Sequence, residues 1–213
     1  MLSQIYQIQK DTKERVSNII VMGMGEPLDN YEELLRFIKL VSCEKGIGIS
    51  QRNITVSTCG LVDKIRMLAD EKLQITLAIS LHAPNDEIRR QTMPIANRYT
   101  IGEIIQACKY YFDKTGRRIT FEYSMIRGVN DKEEHAKELA GRLSGLNCHI
   151  NLIPLNEVKE RNCYRSTKED IEKFKTILEK YRKTVTIRRE MGSDIDAACG
   201  QLRKKFLTKN GRN

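Results

Sequence analysis

The sequence predicts an α/β fold built on a parallel sheet. Short runs rich in β-branched residues alternate strictly with longer segments of helical periodicity, an order in which each helix carries the chain back over the sheet to the next parallel strand. Small, polar and flexible residues gather after these runs: Gly25-Glu26, Ser57-Thr58, Ser80 to His82, Arg127 to Asn130, and Asn156. The 213 residues, 40% of them hydrophobic, suffice for one sizeable core and suit a single α/β domain. Six strands make either an open doubly wound sheet or most of a barrel, and in both the strand C-termini form the ligand face. The loops that follow the strands are therefore expected to converge on one small-molecule site.

Leu2 to Arg15 places Leu2, Ile5, Tyr6 and Ile8 among charged residues and reads as an amphipathic helix without an N-terminal cap. A helix that opens a chain and runs into a strand has the form of the second half of a strand-helix-strand unit, so a preceding strand is expected to be missing. Ser17 to Met22 is β-branched and too short for a helix, which predicts a buried strand. Gly23-Met24-Gly25-Glu26-Pro27 ends it. Glycines there let a ligand approach the backbone, and Glu26 is a candidate contact for a cationic group; the alternative is a tight turn with Glu26 in solvent.

Asn30 and Glu33 fit a capping box that opens a helix from Tyr31 to about Cys43. Asn53 to Val56 predicts a second strand breaking at Ser57-Thr58-Cys59-Gly60, followed by a helix with Leu61, Ile65, Leu68 and Ala69 on one face. Gln74 to Ile79 predicts a third strand, breaking at Ser80-Leu81-His82-Ala83-Pro84-Asn85, with a short helix over Asp86 to Thr92. Thr100 and Glu103 form a capping box for a helix through about Lys114 that Gly116 stops. Ile119 to Met125, His149 to Ile153 and Thr184 to Arg188 predict three more strands, separated by helices over Lys132 to Leu143 and up to Arg182, the latter capped by Ser166 and Glu169. A Gly- and Asp-containing segment, Glu190 to Gly200, precedes a basic tail.

Lys and Arg total 37 against 28 Asp and Glu, a net charge of +9 that favours a polyanionic partner, RNA or DNA ahead of a membrane. No segment has the length and apolarity of a transmembrane helix, and the N-terminus shows no signal-peptide pattern, so a cytoplasmic protein is expected. Cys43, Cys59, Cys108, Cys148, Cys163 and Cys199 are scattered without close pairs, which argues against a zinc ribbon or a linear cluster motif and for reduced thiols. Lys159, Arg161, Arg165 and the tail cations are candidate nucleic-acid contacts, with solvated surface charge as the alternative.

Several blocks carry a resemblance. Val21-Met22-Gly23-Met24-Gly25-Glu26-Pro27-Leu28, Ser57-Thr58-Cys59-Gly60, Ala78-Ile79-Ser80-Leu81-His82-Ala83-Pro84-Asn85, Ile150-Asn151-Leu152-Ile153-Pro154-Leu155-Asn156 and Asp194-Ile195-Asp196-Ala197-Ala198-Cys199-Gly200-Gln201 resemble, in order, the signature blocks of the RlmN/Cfr-type radical S-adenosylmethionine enzymes. These methylate adenine in ribosomal RNA and, in the RlmN branch, also in transfer RNA. The resemblance implies a partial (β/α) barrel of the radical SAM type with its first strand missing, a core over residues 1–200, and a basic tail over 201–213. It implies S-adenosylmethionine contacts at Gly25, Glu26, Ser57, Ser80, Leu81, His82 and Asn156: a carboxylate for the ammonium, and hydroxyl, backbone and amide groups for ribose and adenine edges. From spacing alone His82 reads as a packed core histidine, and no acid-base role is assigned to it.

The resemblance makes Cys199 the catalytic residue that first accepts a methyl group, which then reaches adenine by radical chemistry because an aromatic amidine carbon is no nucleophile. It further implies ribosomal and transfer RNA as partners and a monomer in the full-length enzyme. Enzymes of this type hold a 4Fe-4S cluster through Cys-x-x-x-Cys-x-x-Cys, and no cysteines here have that spacing. The chain is thus expected to be the C-terminal part of a longer enzyme, inactive alone for want of metal ligands. A remnant that binds cofactor and RNA without catalysis, and the branch that methylates carbon 8 of adenine instead of carbon 2, are the alternatives.

Overall fold

The computed structural model describes residues 1–23, 25–156 and 163–189. Within them the chain runs α1 (Leu2–Thr12), β1 (Ile19–Val21), α2 (Tyr31–Val41), β2 (Ile54–Thr58), α3 (Val62–Asp70), β3 (Thr76–Ser80), α4 (Asp86–Thr92), α5 (Ile101–Thr115), β4 (Ile119–Met125), α6 (Glu133–Arg142), β5 (Cys148–Pro154), α7 (Lys168–Lys180) and β6 (Thr184–Ile187). The strands form one sheet in the order β1-β2-β3-β4-β5-β6. β1 pairs with β2, β2 with β3 and β5 with β6, all in parallel. A strand order that follows the sequence is the stepwise progression of a barrel, without the reversal that a doubly wound sheet requires. Of the two arrangements open from the sequence, this strand order is that of the partial barrel.

The chain divides into two compact units, one of Met1–Ser80 with Arg98–Thr120 and one of Leu81–Asn97 with Phe121–Asn213. In the first, α2 buries Tyr31, Leu34, Leu35, Phe37, Ile38 and Val41, the stripe its helical spacing predicts. Burying such a side chain contributes about 1.5–3 kcal/mol. α3 packs against α5, and the Tyr111 hydroxyl of α5 donates to the Ile75 carbonyl at 3.3 Å. α5 opens with the expected Thr100–Glu103 capping box and stops at Gly116, whose φ of 66° is left-handed. β2 alternates: Ile54, Val56 and Thr58 are buried, while Thr55 and Ser57 are half-buried.

In the second unit, Phe121, Tyr123 and Met125 of β4 are buried. The Tyr123 ring lies 5.2 Å from that of Phe174 on α7, which fixes this face of β4 as the helix-covered one. Thr120, Glu122 and Ser124 alternate onto the opposite face.

Three local expectations are corrected. β1 is only three residues long and Ile20 is 66% exposed, because among the described residues β1 lies at the end of the strand order and pairs only with β2. The Asn30 side chain makes no cap, since the chain enters α2 through the 3-10 turn Pro27–Asn30 and Glu26 caps that turn instead. Thr167 and Asp170, in place of Ser166 and Glu169, open α7, because the Ser166 hydroxyl is committed to Asp131 Oδ2 at 2.7 Å.

Candidate functional site

In the first unit the residues after β1 and β2 are joined by Glu26. Its carboxylate accepts from the backbone N–H of Leu28 at 3.0 Å through Oε1 and from that of Cys59 at 2.7 Å through Oε2. A carboxylate offers about four lone-pair directions, so the group is held on two sides and still has acceptor capacity for a cation. Gly25 beside it has a φ of 101°, where L side chains are strained, and among the described residues other than the chain neighbours no heavy atom lies within 4 Å of a Cβ built on it or on Gly23. The backbone there is open to a ligand. Ser57 donates its hydroxyl to the Val21 carbonyl at 3.2 Å, a second bond from β2 to β1. Ser80 is the final, half-buried residue of β3.

In the second unit Leu81 is buried and His82 half-buried. The backbone N–H groups of both donate to the Glu122 carbonyl, at 3.1 and 3.2 Å. His82 has a φ of 56°, unusual for a residue other than glycine, and Asn130 holds it there. The fully buried Asn130 amide donates to the carbonyls of His82 at 2.8 Å and Ser124 at 2.7 Å, and its Oδ1 accepts from the N–H of Ile126 at 2.7 Å. The His82 ring accepts at Nδ1 from the Ser124 N–H at 3.0 Å, so the neutral imidazole carries its proton on Nε2. Removal from water and the positive charge of Arg89 pull its pKa down to about 4. His82 is thus neutral at physiological pH, with its Nε2–H as the ring donor. Asn156 follows β5 and is half-buried.

The sequence points to the loop residues and passes over a strand-borne carboxylate. Glu122 is 7% exposed, and its Oε2 accepts from Asn151 Nδ2 of β5 at 2.9 Å. Burial raises its pKa, an effect reduced by the Asn151 bond and the charge of Arg188. The signal was present: Thr120-Phe121-Glu122-Tyr123-Ser124 alternates polar with apolar residues, which places Glu122 on one strand face with Ser124.

Cys199, Lys159, Arg161 and the 201–213 tail lie outside the described residues. Arg165 lies within them, in an isolated antiparallel bridge with Ile126. None of the described cysteines forms a disulfide. Among the described residues no three or more His, Cys, Asp or Glu side chains stand close enough together to hold a metal ion, so the donor set there does not fit a 4Fe-4S cluster. The donor set at Glu26 and Ser57 in the first unit fits a polar, cationic ligand group. A shallow cleft of about 430 Å³, lined by Tyr6, Gln9, Arg15, Lys45, Gly46 and Ile47, involves none of these residues. No helix among the described residues is long and apolar enough to cross a membrane.

Residues 2–140 match the sequence signature of the Radical SAM superfamily. The chain is 62% identical over 207 residues to a protein of Lachnospira eligens named probable dual-specificity RNA methyltransferase RlmN, an alignment covering 97% of this chain and 59% of that protein. To the protein of the same name from Clostridium novyi it is 56% identical over 210 residues, covering 99% of this chain and 61% of the relative. The chain therefore spans 59 to 61% of the length of these curated relatives. Among solved structures, a radical SAM methyltransferase from Sphaerobacter thermophilus superposes with a TM-score of 0.87 at 47% identity, over 92% of this chain and 57% of that one. A domain of a pyruvate-formate lyase-activating enzyme from Bacteroides vulgatus shares the fold, with a TM-score of 0.61 at 21% identity over 82% of this chain and all of its own. With its sequential parallel sheet, its Gly-Glu corner after β1 and this match across most of its length, the chain belongs to the radical SAM superfamily.

Proposed function

We propose that the chain forms the cofactor- and RNA-binding part of an enzyme that methylates carbon 2 of adenine in 23S ribosomal RNA and transfer RNA. The observation that carries this reading is the 62% identity to a relative named as a dual-specificity RNA methyltransferase, extending over 97% of this chain. S-adenosylmethionine, when bound, supplies the methyl group and the radical chemistry that an electron-poor ring carbon demands. The chain's own residues bind and orient. Glu26, already fixed by Leu28 and Cys59, keeps acceptor capacity for the ammonium of the methionyl group. Ser57, Ser80, the Leu81–His82 backbone and Asn156 supply hydroxyl, peptide and amide partners for ribose and adenine edges. His82 remains neutral and offers Nε2–H as a donor. Cys199 would hold the methyl group as a thioether, its sulfur taking the methyl from the sulfonium of S-adenosylmethionine with loss of the thiol proton and release of S-adenosylhomocysteine.

One observation favours a narrower second reading. The six cysteines contain no Cys-x-x-x-Cys-x-x-Cys spacing, so the 213 residues alone are proposed to bind cofactor and RNA without turnover.

Nucleoside mass spectrometry of a ribosomal RNA hairpin and a transfer RNA, incubated anaerobically with the chain, a reductant and methyl-labelled S-adenosylmethionine, separates these readings. 2-Methyladenosine supports the first and unmodified RNA with measurable cofactor binding supports the second. 8-Methyladenosine assigns the alternative ring position, and absence of cofactor binding rejects both readings.

A further inference from the structure

Glu122 is the only buried carboxylate among the described residues, at 7% exposure. It sits at the centre of β4, and its backbone carbonyl already receives the N–H groups of Leu81 and His82. Its side chain ends a hydrogen-bonded row across the second unit. Thr186 of β6 gives its one hydroxyl proton to Asn151 Oδ1 at 3.1 Å. The 2.9 Å contact between Thr186 Oγ1 and His149 Nε2 must then run the other way, with the imidazole N–H donating to the hydroxyl oxygen. Asn151 Nδ2 in turn donates to Glu122 Oε2 at 2.9 Å. Every bond in the row is oriented, and the parallel register that sets Asn151 opposite Thr186 fixes the geometry.

The row ends on one open position. Glu122 Oε1 accepts no hydrogen bond from a described residue, and it is not among the fully buried described side-chain atoms left without a partner, which are Tyr31 Oη and Ser42 Oγ. The surface leading to it is polar and accessible, with Thr186 exposed and His149 and Asn151 half-buried. A carboxylate with one oxygen fixed and the other open reads a ligand donor and rejects a ligand acceptor. Resting on the methyltransferase reading above, we propose that Glu122 is a specificity-determining residue whose Oε1 accepts a hydrogen bond from the 6-amino group of a bound adenine. Both reactants of that chemistry carry this group, the cofactor and the RNA base.

The test exchanges the amino donor for a carbonyl acceptor in each source. Calorimetric titration of the 213-residue chain compares S-adenosyl-L-homocysteine with S-inosyl-L-homocysteine. A second arm compares RNA hairpins that differ only by adenosine or inosine at one unpaired position. The wild-type chain is expected to prefer the 6-amino ligand by about tenfold or more in one arm, the effect of a lost hydrogen bond to a charged group, and that arm identifies the source. Glu122→Gln turns its carbonyl to Asn151 and presents an amide N–H₂ at the open position, so it is expected to abolish or invert the preference. Glu122→Asp, which keeps the charge but draws the oxygen back by one methylene, is expected to weaken the preference without inverting it and serves if the glutamine variant does not fold. Equal binding of both members in both arms, or a preference that persists in the variants, overturns the role of Glu122 and leaves the methyltransferase reading standing. Failure of the wild-type chain to bind any of the four ligands overturns both.

Discussion

The carboxylate of Glu26, in the corner after β1, accepts a hydrogen bond at 2.7 Å from the backbone N–H of Cys59, just past the end of β2. Two loops distant in sequence are thus tied by one side chain, whose other oxygen caps the turn at Leu28. Glu26 is therefore a structural joint as well as a candidate ammonium partner.

Glu26→Gln is expected to cost about 1–3 kcal/mol of stability, since a glutamine has one acceptor oxygen for two N–H donors and points its amide at one of them. Chemical denaturation of both chains measures the loss, and titration with S-adenosylmethionine reads the accompanying fall in affinity. An unchanged denaturation midpoint would show that the Cys59 and Leu28 bonds contribute nothing.

Asn130→Leu is expected to be more damaging, by about 2–4 kcal/mol. It strips partners from the carbonyls of His82 and Ser124 and from the N–H of Ile126 at a fully buried position. Relaxation of His82 from its left-handed backbone should accompany the loss. Thermal unfolding with amide hydrogen exchange at residues 81–83 checks both effects.

The lowered pKa of His82 makes stability depend on pH in a definite direction. Below its ordinary value of 6.5 the unfolded chain binds a proton at this position that the folded chain refuses until about pH 4. The contribution of His82 is therefore fully present above about pH 6.5, falls as pH drops, and is lost at about pH 4. A His82→Gln variant is expected to show a flatter loss of stability than wild type between pH 6.5 and 4. Glu122, whose pKa is raised, acts in the opposite sense and is common to both chains, so the difference isolates His82. Parallel denaturation curves across that window would rule the effect out.

Anaerobic incubation of the purified chain with iron and sulfide is expected to yield no stoichiometric 4Fe-4S cluster, because no three cysteines have the required spacing. Iron and sulfide analysis with visible absorbance decides this. A stoichiometric cluster would show that the dispersed thiols assemble a site after all.

Local sequence signals were sufficient for much of this protein. β-Branched runs and helical periodicity gave every α-helix and strand among the described residues, and the bounds of α4 and β4 to the residue, because each amphipathic period is written in the chain itself, whereas the 3-10 turns such as Pro27–Asn30 were not. The Thr100–Glu103 capping box and the Gly116 stop are local chemistry and were legible for the same reason. Motif order was enough to mark Glu26, Ser57 and the Ser80–His82 segment. Tertiary structure decided what those residues are bonded to. That Glu26 is shared between Leu28 and Cys59, that Asn130 clamps His82, and that Glu122 meets Asn151 all depend on pairs 29 to 48 positions apart or on turn geometry. A buried polar group takes whichever partner the fold brings within hydrogen-bond reach, and that partner is set by strand register and loop path. The exposure of Ile20 has the same origin: an apolar run specifies a strand, but only its place in the sheet order determines which of its faces is covered.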